Sequence, residues 1–312
     1  METVRLGRTG LEVSVAGLGC GGHSRLGMAR GKDVRHAADM VRRALDLGIT
    51  YIDTARAYGT EEAVGLGLKG RRDEAVISTK AGLGRRGELV SAADMARYID
   101  ESLTKLQTDH IDVFLLHGMT LPEHQHAMTV ILPELQTQKA AGKIRFIAAS
   151  EQFGGDTGHA WLQTALADDP FDVLMVGFNL LNPSARERVF PRTIRQDVGT
   201  LIMFAVREAL SRPEELKRVV GELIARGEVD ADEVDADDPL GFLKDAPGAP
   251  SVVEAAYRFC RHEPGAHVIL TGTGDPEHLR ANVESILAPP LPPEILARLR
   301  AIFGRVDSVS GN

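Results

Sequence analysis

Tyr51-Ile52-Asp53-Thr54-Ala55-Arg56-Ala57-Tyr58-Gly59 is the stretch around which the chain is organised. Tyr51-Ile52 closes a short apolar run, and Asp53 and Tyr58 follow at its C-terminal edge. The next two apolar runs end in the same way. Ala75-Val76-Ile77-Ser78-Thr79 ends in Lys80, and Ile111-Asp112-Val113-Phe114-Leu115-Leu116 ends in His117. If the three runs are consecutive parallel strands of a barrel, an Asp, a Tyr, a Lys and a His converge on one mouth, the face where barrel enzymes carry their sites.

Outward from this stretch, apolar runs alternate with helical periodicity. Residues 4–14 read as a hairpin around Gly7-Arg8-Thr9-Gly10. Strands are expected to start at Val15, Ile49, Ala75, Ile111, Ile144, Asp172, Thr200 and His267. Helical spacing fills residues 34–47, 61–68, 91–106, 126–141, 158–166, 185–195 and 276–287. Ser91 is the expected cap of the third helix, with Asp94 as its partner three residues on. Short apolar strands in βα units argue for a closed barrel rather than an open sheet. The fold expected is a single-domain (β/α)8 TIM barrel spanning 1–312, closed at the bottom by the N-terminal hairpin. A long loop at about 207–248, with an acidic run at 228–238, and a tail at 303–312 are expected over the mouth.

Composition narrows the function. The 312 residues are 43% hydrophobic, enough for a large core, and carry a formal net charge of -8. No broad basic surface suggests nucleic acid, and an anionic membrane would repel the chain. Cys20 and Cys260 make no disulfide framework, which suits a reducing, cytoplasmic setting. The first residues read as neither a signal peptide nor a bilayer span. A small-molecule substrate is the expected partner, for a monomer or a small homo-oligomer.

The four strand-end residues form an acid–base device. Tyr58 is a candidate proton donor, and a free tyrosine titrates near 10. A neighbouring Lys80 would favour the phenolate, and Asp53 would hold Lys80 charged and oriented. His117 could hydrogen-bond a substrate oxygen from the other side. Together they suit proton delivery to a carbonyl oxygen. No residue looks like the group that attacks the carbonyl carbon, so a hydride-donating cofactor is implied. Metal binding is the competing reading. One His, one Asp, a Tyr and a Lys are poor zinc ligands. The segment Gly19-Cys20-Gly21-Gly22 lets backbone approach a ligand closely, yet it lacks the spacing of a dinucleotide fingerprint.

These residues resemble those of the aldo-keto reductase superfamily. The resemblance is carried by residues 6–14, by Ile52-Asp53-Thr54-Ala55 with Tyr58-Gly59, by Ser78-Thr79-Lys80, and by Leu115-Leu116-His117. Gly142-Lys143-Ile144-Arg145, Phe178-Asn179-Leu180-Leu181 and the stretch 271–282 add to it. It implies oxidation or reduction of a carbonyl–alcohol pair with NADP(H), with Tyr58 as general acid/base, Lys80 and Asp53 as its tuners and His117 as the orienter of the carbonyl. It also implies cofactor contacts at Gly21, Asp53, Ser150, Gly272, Thr273 and Asn282.

The chain departs from the family pattern at four further contact positions. Glu151 stands where an amide usually binds the nicotinamide carboxamide, and Met175 where a Gln helps hold the ring. Arg207 takes the place of a stacking aromatic, and His278 that of an Arg for the 2′-phosphate, with Arg280 close by. NADP(H) is the favoured cofactor and NAD(H) the alternative. Two further readings stay open: an NAD-linked dehydrogenase of an aldose or polyol, and a cofactor-sensing subunit that docks on a larger partner.

Overall fold

The structure is a computed structural model that describes residues 1–85, 88–243 and 251–312. Eight parallel strands close into a barrel. They are β1 (Ala16–Gly19), β2 (Tyr51–Asp53), β3 (Val76–Ala81), β4 (Ile111–Met119), β5 (Ile144–Glu151), β6 (Val173–Gly177), β7 (Gly199–Met203) and β8 (Val268–Thr271). Each pairs with its sequence neighbour, and β8 closes on β1 through Ile269 opposite Ala16. The expected fold is therefore the observed one, with all eight strands where the apolar runs placed them.

Successive strand residues point to opposite faces, and this period of two sorts the core into two shells. Tyr51, Val113, Leu115, Ala148, Val173, Met175, Leu201 and Val268 fill the barrel. Ile52, Ile77, Phe114, Leu116 and Ala149 face the helices. The same alternation extended to the strand ends turns Asp53, Ser78, Lys80 and His117 inward.

The bottom is closed as expected. Thr3–Arg5 pairs antiparallel with Glu12–Ser14. Leu6, between them, is fully buried in the inner shell. Arg5 grips Asp197 with two hydrogen bonds of 2.9 Å, tying the hairpin to the turn before β7.

Several boundaries differ from the expectation, each for a local reason. Strands β3 and β4 run on through Lys80 and His117, because the pairings of Lys80 with Leu115 and of Thr79 with Phe114 continue the ladder. The helix expected at 126–141 is irregular over Ala127–Ile131 before Leu132–Ala140. Pro133 has no N–H to give the carbonyl four residues back, so the helix widens there. The helix expected at 185–195 breaks at Val189, ahead of Pro191, into Ala185–Arg188 and Phe190–Gln196.

The long unit between β7 and β8 is not a plain loop. It contains the helix Pro213–Ala225, which buries Leu216, Val219, Val220 and Leu223. That spacing, and a proline in the first turn, are helix signals present in the sequence. The helix Val252–Arg261 is a further element beyond those expected, although Ser251 and Glu254 signal it, and Ser251 does accept from the Glu254 N–H. The acidic run keeps only Val229 and Val234 buried and turns Asp230, Asp232, Asp235 and Asp237 outward. Residues 244–248 of the expected loop lie outside the described residues. Among the described residues, no helix is long and apolar enough to cross a membrane.

Leu6 plugs the barrel floor, so Leu6→Ala should leave a cavity that β-strands cannot collapse to fill. We expect a loss of about 2–5 kcal/mol, read from the urea midpoint with an unchanged slope.

Candidate active site

Lys80 is the buried centre of the site. Its side chain is fully inaccessible. Nζ donates to Asp53 Oδ1 and Oδ2, both at 2.7 Å, and to the Thr54 carbonyl at 2.8 Å. Those three acceptors use all three ammonium hydrogens. Ser78, two residues before Lys80 on the same strand face, donates to Asp53 Oδ1 at 2.8 Å. Burial alone would push the Lys80 ammonium toward neutrality, but the Asp53 charge, Tyr58 and the Asp53 hydrogen bonds outweigh it, and its pKa rises.

Tyr58 arrives from a short turn, Arg56–Tyr58, that follows the extended residue Ala55. Its ring lies against Gly21, where a Cβ would sit 2.4 Å from the ring, so only glycine leaves room for it. Lys80 Nζ stands 5.0 Å from the centre of the ring. Tyr58 Oη lies 3.4 Å from His117 Nε2, and the two rings meet edge to face.

The electrostatics correct one expectation. Lys80 does pull the phenol toward ionisation, but burial is the larger effect and holds the Tyr58 pKa above its ordinary value. The hydroxyl is therefore a protonated donor near neutral pH. His117 is pushed down to about 3, first by burial and then by Lys80, so its imidazole is neutral.

A cavity of about 650 Å³ opens at the C-terminal ends of the strands. Gly21, Asp53, Tyr58, Met175, Arg207, Gly272, Thr273, His278 and Asn282 line it. A second hollow, of about 550 Å³, is bordered by His117, Arg56, Gly82 and Tyr98. Tyr58 and His117 thus meet between two hollows.

Three of the expected cofactor contacts do not line the cavity. Ser150 is buried and accepts from the Gly118 N–H at 2.8 Å. Glu151 follows Ala149 on the outward face of β5, and its carboxylate is taken by His159 Nδ1 at 2.9 Å and by the Gly177 N–H at 2.7 Å. Arg280 is on the surface, paired with Glu277. At the start of the helix after β8, Asp275 accepts from the Glu277 and His278 N–H groups, so those two donors are already taken.

Other lining residues were not read from the sequence. Arg30, Arg212, Phe204 and Tyr257 belong to the cavity wall. Arg207 lies with its guanidinium 4.1 Å from the Phe204 ring centre, and its Nε donates to Asn312 Oδ1 at 2.7 Å. Phe204 has φ +66°, a left-handed conformation that is strained for an aromatic residue. Tyr257 sits on the unread helix and meets Thr271 Oγ1, which also accepts from Asn282 Nδ2.

The closed parallel (β/α)8 barrel carries an Asp–Lys–Tyr–His cluster at the C-terminal ends of its strands. The chain matches the Aldo/keto reductase family over residues 18–303 and belongs to that family. It is an NAD(P)H-dependent oxidoreductase. It is 29% identical over 309 residues to the aldo-keto reductase YhdN of Bacillus subtilis, covering 90% of this chain and 87% of that one. The structure of aldo-keto reductase AKR11C1 from Bacillus halodurans superposes with a TM-score of 0.73 at 24% identity, covering 99% of this chain and 98% of that one. An aldo/keto reductase from Klebsiella pneumoniae, in complex with NADP and acetate, gives 0.67 at 22% identity, covering 98% and 97%. These two likenesses bear on the fold.

Removing Lys80 alone strands a buried carboxylate. Lys80→Met should cost about 3–5 kcal/mol, whereas Asp53→Asn with Lys80→Met should recover a large part of it. Chemical denaturation of Lys80→Met, Asp53→Asn and the double variant checks this, and additive losses would contradict it.

Proposed function

We propose that this chain interconverts a carbonyl and an alcohol, with Tyr58 exchanging the proton with the substrate oxygen. The observation that carries the reading is the Tyr58 hydroxyl, within 3.4 Å of His117 Nε2 and over a buried Lys80–Asp53 pair. In reduction Tyr58 donates its proton as negative charge develops on the carbonyl oxygen. Lys80, 5.0 Å from the ring centre, stabilises the resulting phenolate. The neutral His117 imidazole positions the oxygen beside Tyr58. Asp53 keeps Lys80 charged, and Ser78 and the Thr54 carbonyl fix the pair. The nicotinamide cofactor supplies the hydride when bound.

The donor set of the larger cavity suits a dinucleotide. Arg30, Arg207 and Arg212 offer cationic groups and His278 a ring nitrogen for phosphates, while Met175, Phe204 and Leu270 offer apolar surface for rings. The loop after β1 packs on the turn after β8, where a Cβ at Gly274 would stand 2.3 Å from the Gly27 backbone nitrogen. This brings Arg30 to the side of the cavity that holds Thr273 and His278. We assign Arg30 and His278 to a 2′-phosphate, and so NADP(H) as the favoured cofactor.

Two experiments test the reading. Tyr58→Phe should abolish most carbonyl turnover while dinucleotide binding stays near that of the parent. Full retained turnover would refute the role. In the oxidative direction the parent rate should climb with pH, because Tyr58 must be ionised to accept a proton and burial holds its pKa high. Lys80→Met removes the charge that lowers that pKa, so any residual oxidative limb should move to higher pH.

Paired fluorescence titrations with NADPH and NADH test the cofactor. We expect a preference for NADPH of about 10-fold, equivalent to about 1.4 kcal/mol, that collapses in Arg30→Ala. Equal binding of the two in the parent would overturn the NADP(H) assignment and favour an NAD-linked dehydrogenase.

A further inference from the structure

The β5 end carries a side-chain arrangement that the proton chemistry does not use. Glu151 and His159 are both fully enclosed, with His159 Nδ1 at 3.0 and 2.9 Å from the two carboxylate oxygens. His159 has φ +62°, and its Nε2 is buried without a hydrogen-bond partner among the described residues. Burial pushes the Glu151 carboxyl up, against the pull of His159 and of the Gly177 N–H. A buried acid, a left-handed histidine and an unpaired ring nitrogen are each unfavourable to the fold. Such costs gather where a site needs a fixed geometry.

The arrangement leads to the cavity. The His159 ring stacks on Phe153, with centroids 5.4 Å apart and planes at 15°. Phe153 is pressed onto Gly177, where a Cβ would stand 2.1 Å from its ring, and the Gly177 N–H is the one that Glu151 accepts. Phe153 in turn meets Phe204 edge to face at 5.4 Å. Phe204 is the second left-handed residue of the series, and the Arg207 guanidinium lies 4.1 Å from the centre of its ring. The contacts run without a gap from Glu151 to a cation in the cavity wall.

We propose that Glu151, His159 and Phe153 are positioning residues that brace Phe204 and thereby set the plane of the Arg207 guanidinium against the bound dinucleotide. The proposal rests on the reading that Arg207 faces the cofactor. A carboxylate suits the task better than an amide. Its Oε1 accepts from the Gly177 backbone while both oxygens face His159 Nδ1, whereas an amide whose oxygen accepts from Gly177 sets its NH2 against that ring nitrogen. On this assignment Glu151 acts from behind the site rather than by touching the nicotinamide.

A double-mutant cycle on the full chain tests it, read by equilibrium titration with NADPH and, separately, by thermal unfolding. Arg207→Ala should weaken NADPH binding. Glu151→Ala should weaken it by about 5-fold in the parent and by less than about 2-fold in the Arg207→Ala background, because contacting residues couple. The isosteric Glu151→Gln retains one acceptor, should fall between parent and alanine, and serves if the alanine variant does not fold. Phe153→Leu should repeat the effect without altering any charge. If Arg207→Ala weakens binding but neither Glu151 variant nor Phe153→Leu does, the brace is wrong and the cofactor reading of Arg207 stands. Equal losses from Glu151→Ala in both backgrounds would assign Glu151 a structural role only. If Arg207→Ala binds NADPH as tightly as the parent, the reading of Arg207 itself fails, and the proposal with it.

Discussion

A buried ammonium cannot be left without acceptors, and much of this active site is arranged to meet that constraint. Lys80 lies wholly inside the barrel mouth, where a lone charge would cost several kcal/mol. Asp53 supplies both carboxylate oxygens and the next residue supplies a carbonyl. These partners come from β2 and its exit, so the two strands must be adjacent and in register at their ends. Asp53 opposite Ser78 is the register observed. The pair is thus a geometric lock on the barrel as well as a source of charge beneath the Tyr58 ring.

The fold was legible because its periods were clean. Apolar runs of strand length separated by helical spacing repeat through the chain, and a period of two carries them to inward-facing polar ends at Asp53, Lys80 and His117. Where the reading failed, the signal was present but was overridden or passed over. Pro133 and Pro191 disturb two helices that the apolar pattern alone makes continuous. The helix Pro213–Ala225 was hidden by its neighbourhood, since the acidic run after it reads as loop. Ser251 and Glu254 mark the start of the helix that carries Tyr257, but the Pro- and Gly-containing sequence just before it reads as loop.

The candidate site divides along the same line. Proximity in the tetrad follows from strand order alone, which a sequence carries. The balance between burial and Lys80 at Tyr58 does not, because it depends on how deeply the ring sits. Glu151 shows the limit more sharply. Its place in the chain beside Ser150 suggested a cofactor contact, but one step along a strand reverses the face. Pleating sends Glu151 outward to His159, and Arg207 gains its setting from Phe204 and Asn312, which no local pattern connects.

The hydrogen bond from Arg207 to Asn312 spans 105 positions of the chain, whereas the bonds between Lys80 and Asp53 span 27. The two halves of the site therefore rest on different kinds of contact. The charge pair needs only neighbouring strands, whereas Arg207 is held both by Phe204 and by a tail that lays its Val309 and Ser310 carbonyls on Asn182 and Asn179. A disturbance of the tail would therefore reach the cation at the dinucleotide cavity without touching the buried ion pair, so one half of the site can be lost while the other is kept.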